Sequence, residues 1–399
     1  MLRKMIKYQN YASWVRALGC AIILLVVFSV GVFVGDGKLS FNYGNSPTGL
    51  PATLNYSSVD QVYQAIRSQY YGKLTATQML NGLKSGLANA TGDPYTEYFS
   101  PNQAKTFNSE LNGSFGGIGA EIGENSSNQL QVIAALASTP AAKAGLKPMD
   151  LINSINGRST SGLTAVAAVN KIRGPVGTKV TLGILRDGHQ LTLTITRGNI
   201  TIPSVTYKII NGNLGYIQIS QFTNDTSGLA QQAAQSLLKS HVKGIILDMR
   251  DNPGGLVTAA VNVSSLWLPQ GKEIMQERAD SKVLQTYYST GNDILHKIPT
   301  VVLINSGTAS AAEITAGALH DNGAAYVIGQ QSYGKGVVQQ LDNLAGGAEL
   351  KITIASWYRP DGQNINHKGI KPDKIVVLTD AQAKAGEDPQ LQAAEAYLK

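Results

Sequence analysis

Hydrophobic and polar positions fall into five textures along the 399-residue chain. Ala17 to Gly35 (ALGCAIILLVVFSVGVFVG) is an apolar run without a charge. As a helix it would span about 28 Å, enough for a bilayer core. Residues 36–56 are polar, punctuated by Gly and Pro and without period, which predicts a tether. From Ser57 to Gly113 apolar residues recur at helical spacing, first Val59, Val62, Tyr63, Ile66 and Tyr70, then Met79, Leu83 and Leu87. Asp93-Pro94 breaks the pattern, so this stretch predicts a small helical layer packed on something larger. From Ser114 to Arg197 the period drops to two. Val180, Leu182 and Ile184 alternate up to Asp187-Gly188, and Leu191, Leu193 and Ile195 alternate after it, which is a hairpin signal. From about Gly198 onward, apolar strands (Gly215–Ser220, Gly244–Met249, Thr300–Asn305) alternate with helices (Ser227–His241, Thr258–Trp267, Ser310–His320). That alternation predicts an α/β layer fold with a largely parallel core.

Composition narrows the class. The length leaves room for about two to four domains. With 43% hydrophobic and 15% charged residues, the chain is not disordered, collagen-like or a coiled coil. A single cysteine, Cys20, excludes a disulfide framework within the chain and a Cys-based zinc site. The net charge of +7 hints at nucleic acid until the charges are located. Arg3, Lys4, Lys7 and Arg16 stand in the first sixteen residues, which contain no acid, and without them residues 17–399 carry only +3. A nucleic-acid partner is therefore not expected. These four charges precede the apolar run, and after Lys38 no basic residue follows until Arg67. The asymmetry puts the amino terminus in the cytoplasm and the body outside. No small-x-small cleavage site stands near the end of the run, so it reads as an uncleaved signal anchor with Cys20 inside it. The expected location is the cell membrane, single-pass, with an extracytoplasmic body at a bacterial surface or in the periplasm.

The β-rich stretch opens on Gly116-Gly117-Ile118-Gly119. Then come a short helix with a Thr cap, Pro at its first position and Gly at its end (Thr139 to Gly145), and a strand and turn (Asp150 to Gly157). A nucleotide fingerprint fails, because Gly123 comes one residue late and no βαβ unit surrounds it. A plain glycine turn remains open for the Gly cluster alone. The order of elements resembles a PDZ domain over residues 114–198. The resemblance makes Gly116, Gly117, Ile118 and Gly119 the loop that takes a chain-terminal carboxylate on backbone N–H groups. The peptide would add as a strand to the sheet edge.

Three segments carry candidate chemistry. Ser306-Gly-Thr-Ala-Ser310-Ala-Ala-Glu313 joins an apolar strand to a helix. There a serine hydroxyl sits at the positive helix end, although Ser310-x-x-Glu313 is equally a capping box. Gly334-Lys335-Gly336-Val-Val-Gln339 would, as a strand, put Lys335, Val337 and Gln339 on one face. A desolvated lysine loses its proton more readily and can serve a serine as base; the bland alternative is a surface lysine in a turn. Asp248-Met-Arg250-Asp251-Asn252-Pro253-Gly254-Gly255 links a strand to a helix and reads by itself only as a turn. The histidines are His189, His241, His296, His320 and His367. None forms the zinc-protease motif His-Glu-x-x-His, and His320 stands about 15 Å along the helix from Ser310. A triad with another histidine stays open.

Together the three segments resemble the carboxy-terminal processing peptidases, or tail-specific proteases, with Met249 a mild departure in the third. Asp93-Pro-Tyr-Thr-Glu-Tyr-Phe99, Gly369-Ile-Lys-Pro-Asp373 and Asp388-Pro-Gln-Leu-Gln extend the resemblance over nearly all the chain beyond residue 56. It implies a serine endopeptidase with Ser310 as nucleophile, Lys335 as base and Gln339 as its partner. Gly254, Gly255 and Ala311 would form the oxyanion hole, with no metal and no cofactor. It implies a multidomain α/β chain. Residues 1–35 are the stub and transmembrane anchor, 36–56 the tether and 57–113 the helical part of the protease. Residues 114–198 are an inserted PDZ domain, 199–379 a ClpP/crotonase-like core and 380–399 a helical tail. Expected partners are polypeptides with apolar carboxy-terminal tails, and membrane lipid through residues 17–35. Family members dimerise through terminal helices, which leaves a homodimer open. If the family's gating applies, the PDZ domain covers or misaligns the site until a tail binds. The competing class is an anchored, non-enzymatic PDZ scaffold, against which intact Ser310, Lys335 and Gln339 argue.

Overall fold

The computed structural model describes residues 56–399 apart from Ser126, Ala137 and Ser281. The stub, the signal anchor with Cys20 and the tether up to Asn55 lie outside the described residues. Among the described residues, no helix is long and apolar enough to cross a membrane. The chain divides into two units, up to Thr75 and from Ala76.

In the first unit Tyr56–Gln69 forms the expected helix. In the second unit the helix Ala76–Asn89 leaves Leu83 and Leu87 exposed. It packs instead through Ala88, with Tyr98 and Ala348. The expected helical layer is therefore not supported. The packing surface belongs to the short strand Glu97–Phe99, which pairs with Glu349–Tyr358, and a small residue lets the helix approach it. The helix Pro101–Leu111 follows.

The β-rich region builds its own core from Val132, Leu182, Ile184, Ile195 and their neighbours. Its main path runs Ala120–Glu124, Leu130–Ala135, Leu151–Ile155, Lys179–Arg186 and His189–Thr196. The expected hairpin forms, with Asp187 at φ +49° and Gly188 at φ +77°, the double positive φ of a type I′ turn. Thr139 caps the short helix Pro140–Lys143. Ala120–Glu124 is an edge strand. The helix Ala165–Ile172 lies beside it, and its first N–H donates to Glu124 at 2.9 Å. A two-stranded ribbon, Ser114–Gly117 against Gly198–Thr201, brackets this region.

The larger core is a six-stranded sheet. Val205–Ile210 runs antiparallel to Leu214–Ile219. Gly244–Asp248, Thr300–Ile304, Tyr326–Gly329 and Lys374–Ile375 then add in parallel. Gly244–Asp248 and Thr300–Ile304 are buried at every residue. Their side chains alternate between two cores, Ile245, Leu247, Val302 and Ile304 on one face and Ile246, Val301 and Leu303 on the other. A parallel strand covered on both faces needs such a continuous apolar run. The helices Thr226–Lys239, Val257–Ser264 and Ala311–Asp321 contribute to the first core, and the tail helix Pro389–Leu398 to the second. A second sheet carries Glu273–Ala279, Lys282–Tyr288, Val337–Asn343 and Glu349–Tyr358.

At the end of Gly244–Asp248, Arg250 binds the nearly buried Asp248 at 2.6 Å, Asp388 at 2.8 Å and Gln390 at 3.0 Å. It thereby ties the carboxyl end of this strand to the tail helix. Burial opposes the Arg250 charge, but the two carboxylates outweigh it and hold the group protonated. Removing one partner of such a buried network typically costs about 3–5 kcal/mol. Arg250→Ala is expected to lower unfolding stability in urea by about that amount. Arg250→Lys should recover less than half, lacking the guanidinium fork. A loss below about 1 kcal/mol in the alanine variant would show that the network does not support the fold.

Candidate active site

Two loops leave the carboxyl ends of adjacent parallel strands, residues 249–256 after Gly244–Asp248 and 305–310 after Thr300–Ile304. Open α/β sheets place their sites at such ends. The loops are stitched together. The Thr308 hydroxyl donates to Met249 O at 2.8 Å, and Asp251 N–H donates to Asn305 Oδ1 at 2.8 Å. Ala309 N–H donates to Asn252 O at 2.9 Å, and the fully buried Asn252 donates to Ile219 O at 2.8 Å.

Ser310 sits at φ +54°, ψ −117°, immediately before the helix Ala311–Asp321. This is a costly backbone for a residue with a Cβ, and such strain is characteristic of exposed nucleophiles at strand-to-helix turns. Gly254 faces it at φ +95°; a Cβ there would come within 2.7 Å of Ser310 Cβ and of Ala309 O. The Gly254 N–H, expected to face an oxyanion, is taken by Asn252 Oδ1 at 2.9 Å. Two other expected donors, the N–H groups of Gly255 and Ala311, have no acceptor among the described residues.

Glu313 does more than cap. It is fully buried and accepts the Ser310 N–H at 2.8 Å. It also accepts the Ser332 hydroxyl at 2.5 Å, Gly334 N–H at 2.7 Å and Lys335 N–H at 3.0 Å. One carboxylate thus locks the turn of Ser310 to the loop of Lys335. Burial pushes its pKa above the ordinary glutamate value, against the pull of those donors.

Lys335 precedes the strand Val337–Asn343 and is not part of it. A bulge between Val338 and Gln339 also breaks the expected alternation of one face. Lys335 nevertheless lines the site, because its loop is fixed from outside. Trp357 Nε1 donates to Lys335 O at 2.9 Å, and His367 N–H donates to Gly334 O at 2.8 Å. Gly336 lies so close to Asn366 that a Cβ would meet its backbone nitrogen at 2.5 Å. Half-buried, Lys335 has its pKa lowered by desolvation first and by the Lys351 charge second, against Asp93 and Glu313. Its Nζ rests 4.8 Å from the centre of the Tyr95 ring. Among the described residues no hydrogen bond joins it to Ser310 or Gln339, whose amide donates to Thr353 Oγ1 at 3.2 Å. Tyr95, Glu313 and Trp357 were not expected as parts of the site. Tyr95 stood inside the quoted Asp93–Phe99 motif, but nothing in the sequence places that motif over the lysine.

Ser310, Lys335, Gln339, Gly254 and Gly255 line one cavity of about 590 Å³, which no histidine lines. His320 lies at the far end of the helix, between Asp321 at 2.8 Å and Asp373 at 3.0 Å. Among the described residues, no cluster of three or more His, Cys, Asp or Glu side chains is placed to hold a metal ion. In the β-rich region Gly116 and Gly117 are paired within the ribbon, and Ile118 is buried in the local core. Only Gly119, at φ +74°, forms the turn into the edge strand.

Residues 213–376 match peptidase family S41, and residues 108–185 match the PDZ domain. The chain is 38% identical over 360 residues to the carboxy-terminal processing protease CtpA of Bacillus subtilis, covering 90% of this chain and 76% of that one. The chain belongs to the PDZ-containing carboxy-terminal processing proteases of family S41. It is 36% identical over 366 residues to a probable CtpA-like serine protease of Staphylococcus aureus, covering 90% and 71%. Among solved structures it is similar to a photosystem II D1 C-terminal processing protease, with a TM-score of 0.52, 27% identity and coverage of 81% and 87%. As a member of this family the protein is a serine peptidase.

Gly254→Ala tests the contact between the two loops. The added methyl cannot avoid Ser310, so kcat for peptide cleavage should fall at least about 100-fold, the scale of losing one oxyanion donor, while KM changes little. An unchanged kcat would mean that the loop at Gly254 does not abut the working nucleophile.

Proposed function

We propose that this peptidase cuts extracytoplasmic polypeptides by a Ser310–Lys335 acyl-enzyme mechanism once its PDZ domain holds the apolar carboxy-terminal tail of the substrate. The observation that carries the mechanism is a strained serine at a helix start, sharing a cavity with a desolvated lysine and no histidine. Neutral Lys335 takes the hydroxyl proton as Ser310 Oγ attacks the peptide carbonyl carbon. The oxyanion is met by the N–H groups of Gly255 and Ala311. Lys335 then returns the proton to the leaving nitrogen as the C–N bond breaks. Water attacks the ester, gives its proton to Lys335, and Ser310 recovers it on release of the acid. The first step requires Nζ to leave the Tyr95 face and swing to Oγ, which its four-carbon stem allows. Gln339 is the group that would hold the amine there.

The open edge of Ala120–Glu124 beside the helix Ala165–Ile172 supports tail capture by strand addition, with the carboxylate at Ile118 to Ala120. The apolar run 17–35 and its basic flank support a membrane anchor with the body outside.

Ser310→Ala and Lys335→Ala should each abolish cleavage of a disordered substrate without loss of fold; residual cleavage above about 1% in either would remove that residue from the mechanism. The base must be neutral, so cleavage should rise with pH, with its limb below the ordinary lysine pKa of about 10.4. The Lys351 charge helps to lower that pKa. Lys351→Met should therefore move the limb to higher pH. A limb that stays put or moves down in a pH–rate profile would exclude Lys335 as the titrating base.

A further inference from the structure

Three charged side chains line the cavity beside Ser310: Lys335, Lys351 and Glu277. The two lysines have partners, Lys335 over the Tyr95 ring and Lys351 3.1 Å from Glu97. Among the described residues Glu277 has no ion-pair partner. It is only 8% exposed, on the strand Glu273–Ala279. Its Oε1 accepts the Tyr287 hydroxyl at 2.9 Å. Among the described residues no ion pair and no second hydrogen bond reaches it. Its neighbour Arg278 is occupied by Gln276 and by the face of Tyr358.

The other oxygen of Glu277 is not among the buried unpartnered atoms, so it meets the cavity's solvent; a carboxylate largely withdrawn from water gains from a cation or further donors there. Protein groups supply one donor here, and the open side of Glu277 is the cavity itself. We infer that Glu277 determines substrate specificity: the cavity takes a lysine or arginine side chain of the polypeptide flanking the scissile bond. Leu256, Val257, Ile354 and Trp357 supply apolar wall for the methylene stem, and Glu277 receives the charged head. The tail held by the PDZ domain would then choose the substrate, and Glu277 would choose where it is cut. The inference rests on the reading that cleavage occurs at Ser310.

The test uses the full chain and disordered peptides with one fixed apolar tail and a randomised upstream segment, with cut sites read by mass spectrometry. Wild-type enzyme should enrich Lys and Arg at one position flanking the cut by at least about tenfold over Leu, the scale of a single charge-assisted hydrogen bond. Glu277→Gln keeps an acceptor for Tyr287 but loses the charge, and the Lys/Leu ratio should fall to within about twofold of unity. Glu277→Asp should keep part of the preference. A purely structural role would leave the ratio unchanged in the Gln variant. That result, or no Lys/Arg enrichment in wild type, overturns the proposal. Ser310→Ala is run in parallel. If it still cleaves, the mechanism is wrong, and Glu277 is then judged by binding alone. The Ser310→Ala chain should bind a Lys peptide about tenfold tighter than its Leu counterpart by fluorescence polarisation, and Ser310→Ala/Glu277→Gln should not. Equal affinities in the first would refute the role of Glu277 whatever the nucleophile.

Discussion

The site depends on the buried carboxylate of Glu313. Four donors converge on it from two segments more than twenty residues apart: the Ser310 N–H, the Ser332 hydroxyl and the N–H groups of Gly334 and Lys335. Without that acceptor, the Ser332 hydroxyl and the Gly334 N–H would be buried unsatisfied, each a cost of about 1–3 kcal/mol. The same contact sets where the turn of Ser310 stands relative to the loop of Lys335. Desolvation raises the pKa of Glu313 while the donors lower it, so the group holds the site together at the expense of its own solvation. The strained backbone of Ser310 persists because it is over-determined, by Glu313 at its N–H and by Gly254 against its Cβ.

Around this point the loop backbones are held by hydrogen bonds and the Lys335 amine by an aromatic face. The loop residues 249–256 and 305–310 are held by hydrogen bonds to one another, and the strands beneath them are buried on both faces. The Lys335 backbone is clamped by Glu313 and Trp357, and that of Gly334 by His367, yet the lysine's amine lies on an aromatic face. A cation–π contact ranges from about 0.5–1 kcal/mol when exposed to about 2 kcal/mol or more when desolvated. Tyr95 stands on the segment that leads through Pro101–Leu111 into the ribbon Ser114–Gly117 and so to the PDZ domain. Phe107 and Leu111 of that helix also line the cavity. The chain is therefore continuous from the PDZ domain to the ring on which Lys335 rests.

Much of the fold was legible. The buried parallel strands were plain from their apolar runs, and the PDZ hairpin from its alternation around Asp187-Gly188, because both patterns report local burial and turn chemistry. The helices before the PDZ domain misled. Leu83 and Leu87 have the spacing of a core face, but spacing says only that residues share a side, and the packing partner at Tyr98 meets Ala88. Lys335 lines the cavity, but not through the strand geometry expected for it. Its loop comes before the strand, and a bulge follows at Val338.

The sequence by itself determined the family, the α/β core and the PDZ domain, since these rest on motifs and periods that are local to each segment. Only the tertiary structure decided that Glu313 joins the two motifs, that Gly254 spends its N–H on Asn252, that Tyr95 holds the resting lysine, and that Glu277 faces the cavity with no ion-pair partner among the described residues. Each of these depends on which donors and charges meet after distant segments pack. Desolvation then sets their cost, and no single segment carries that information.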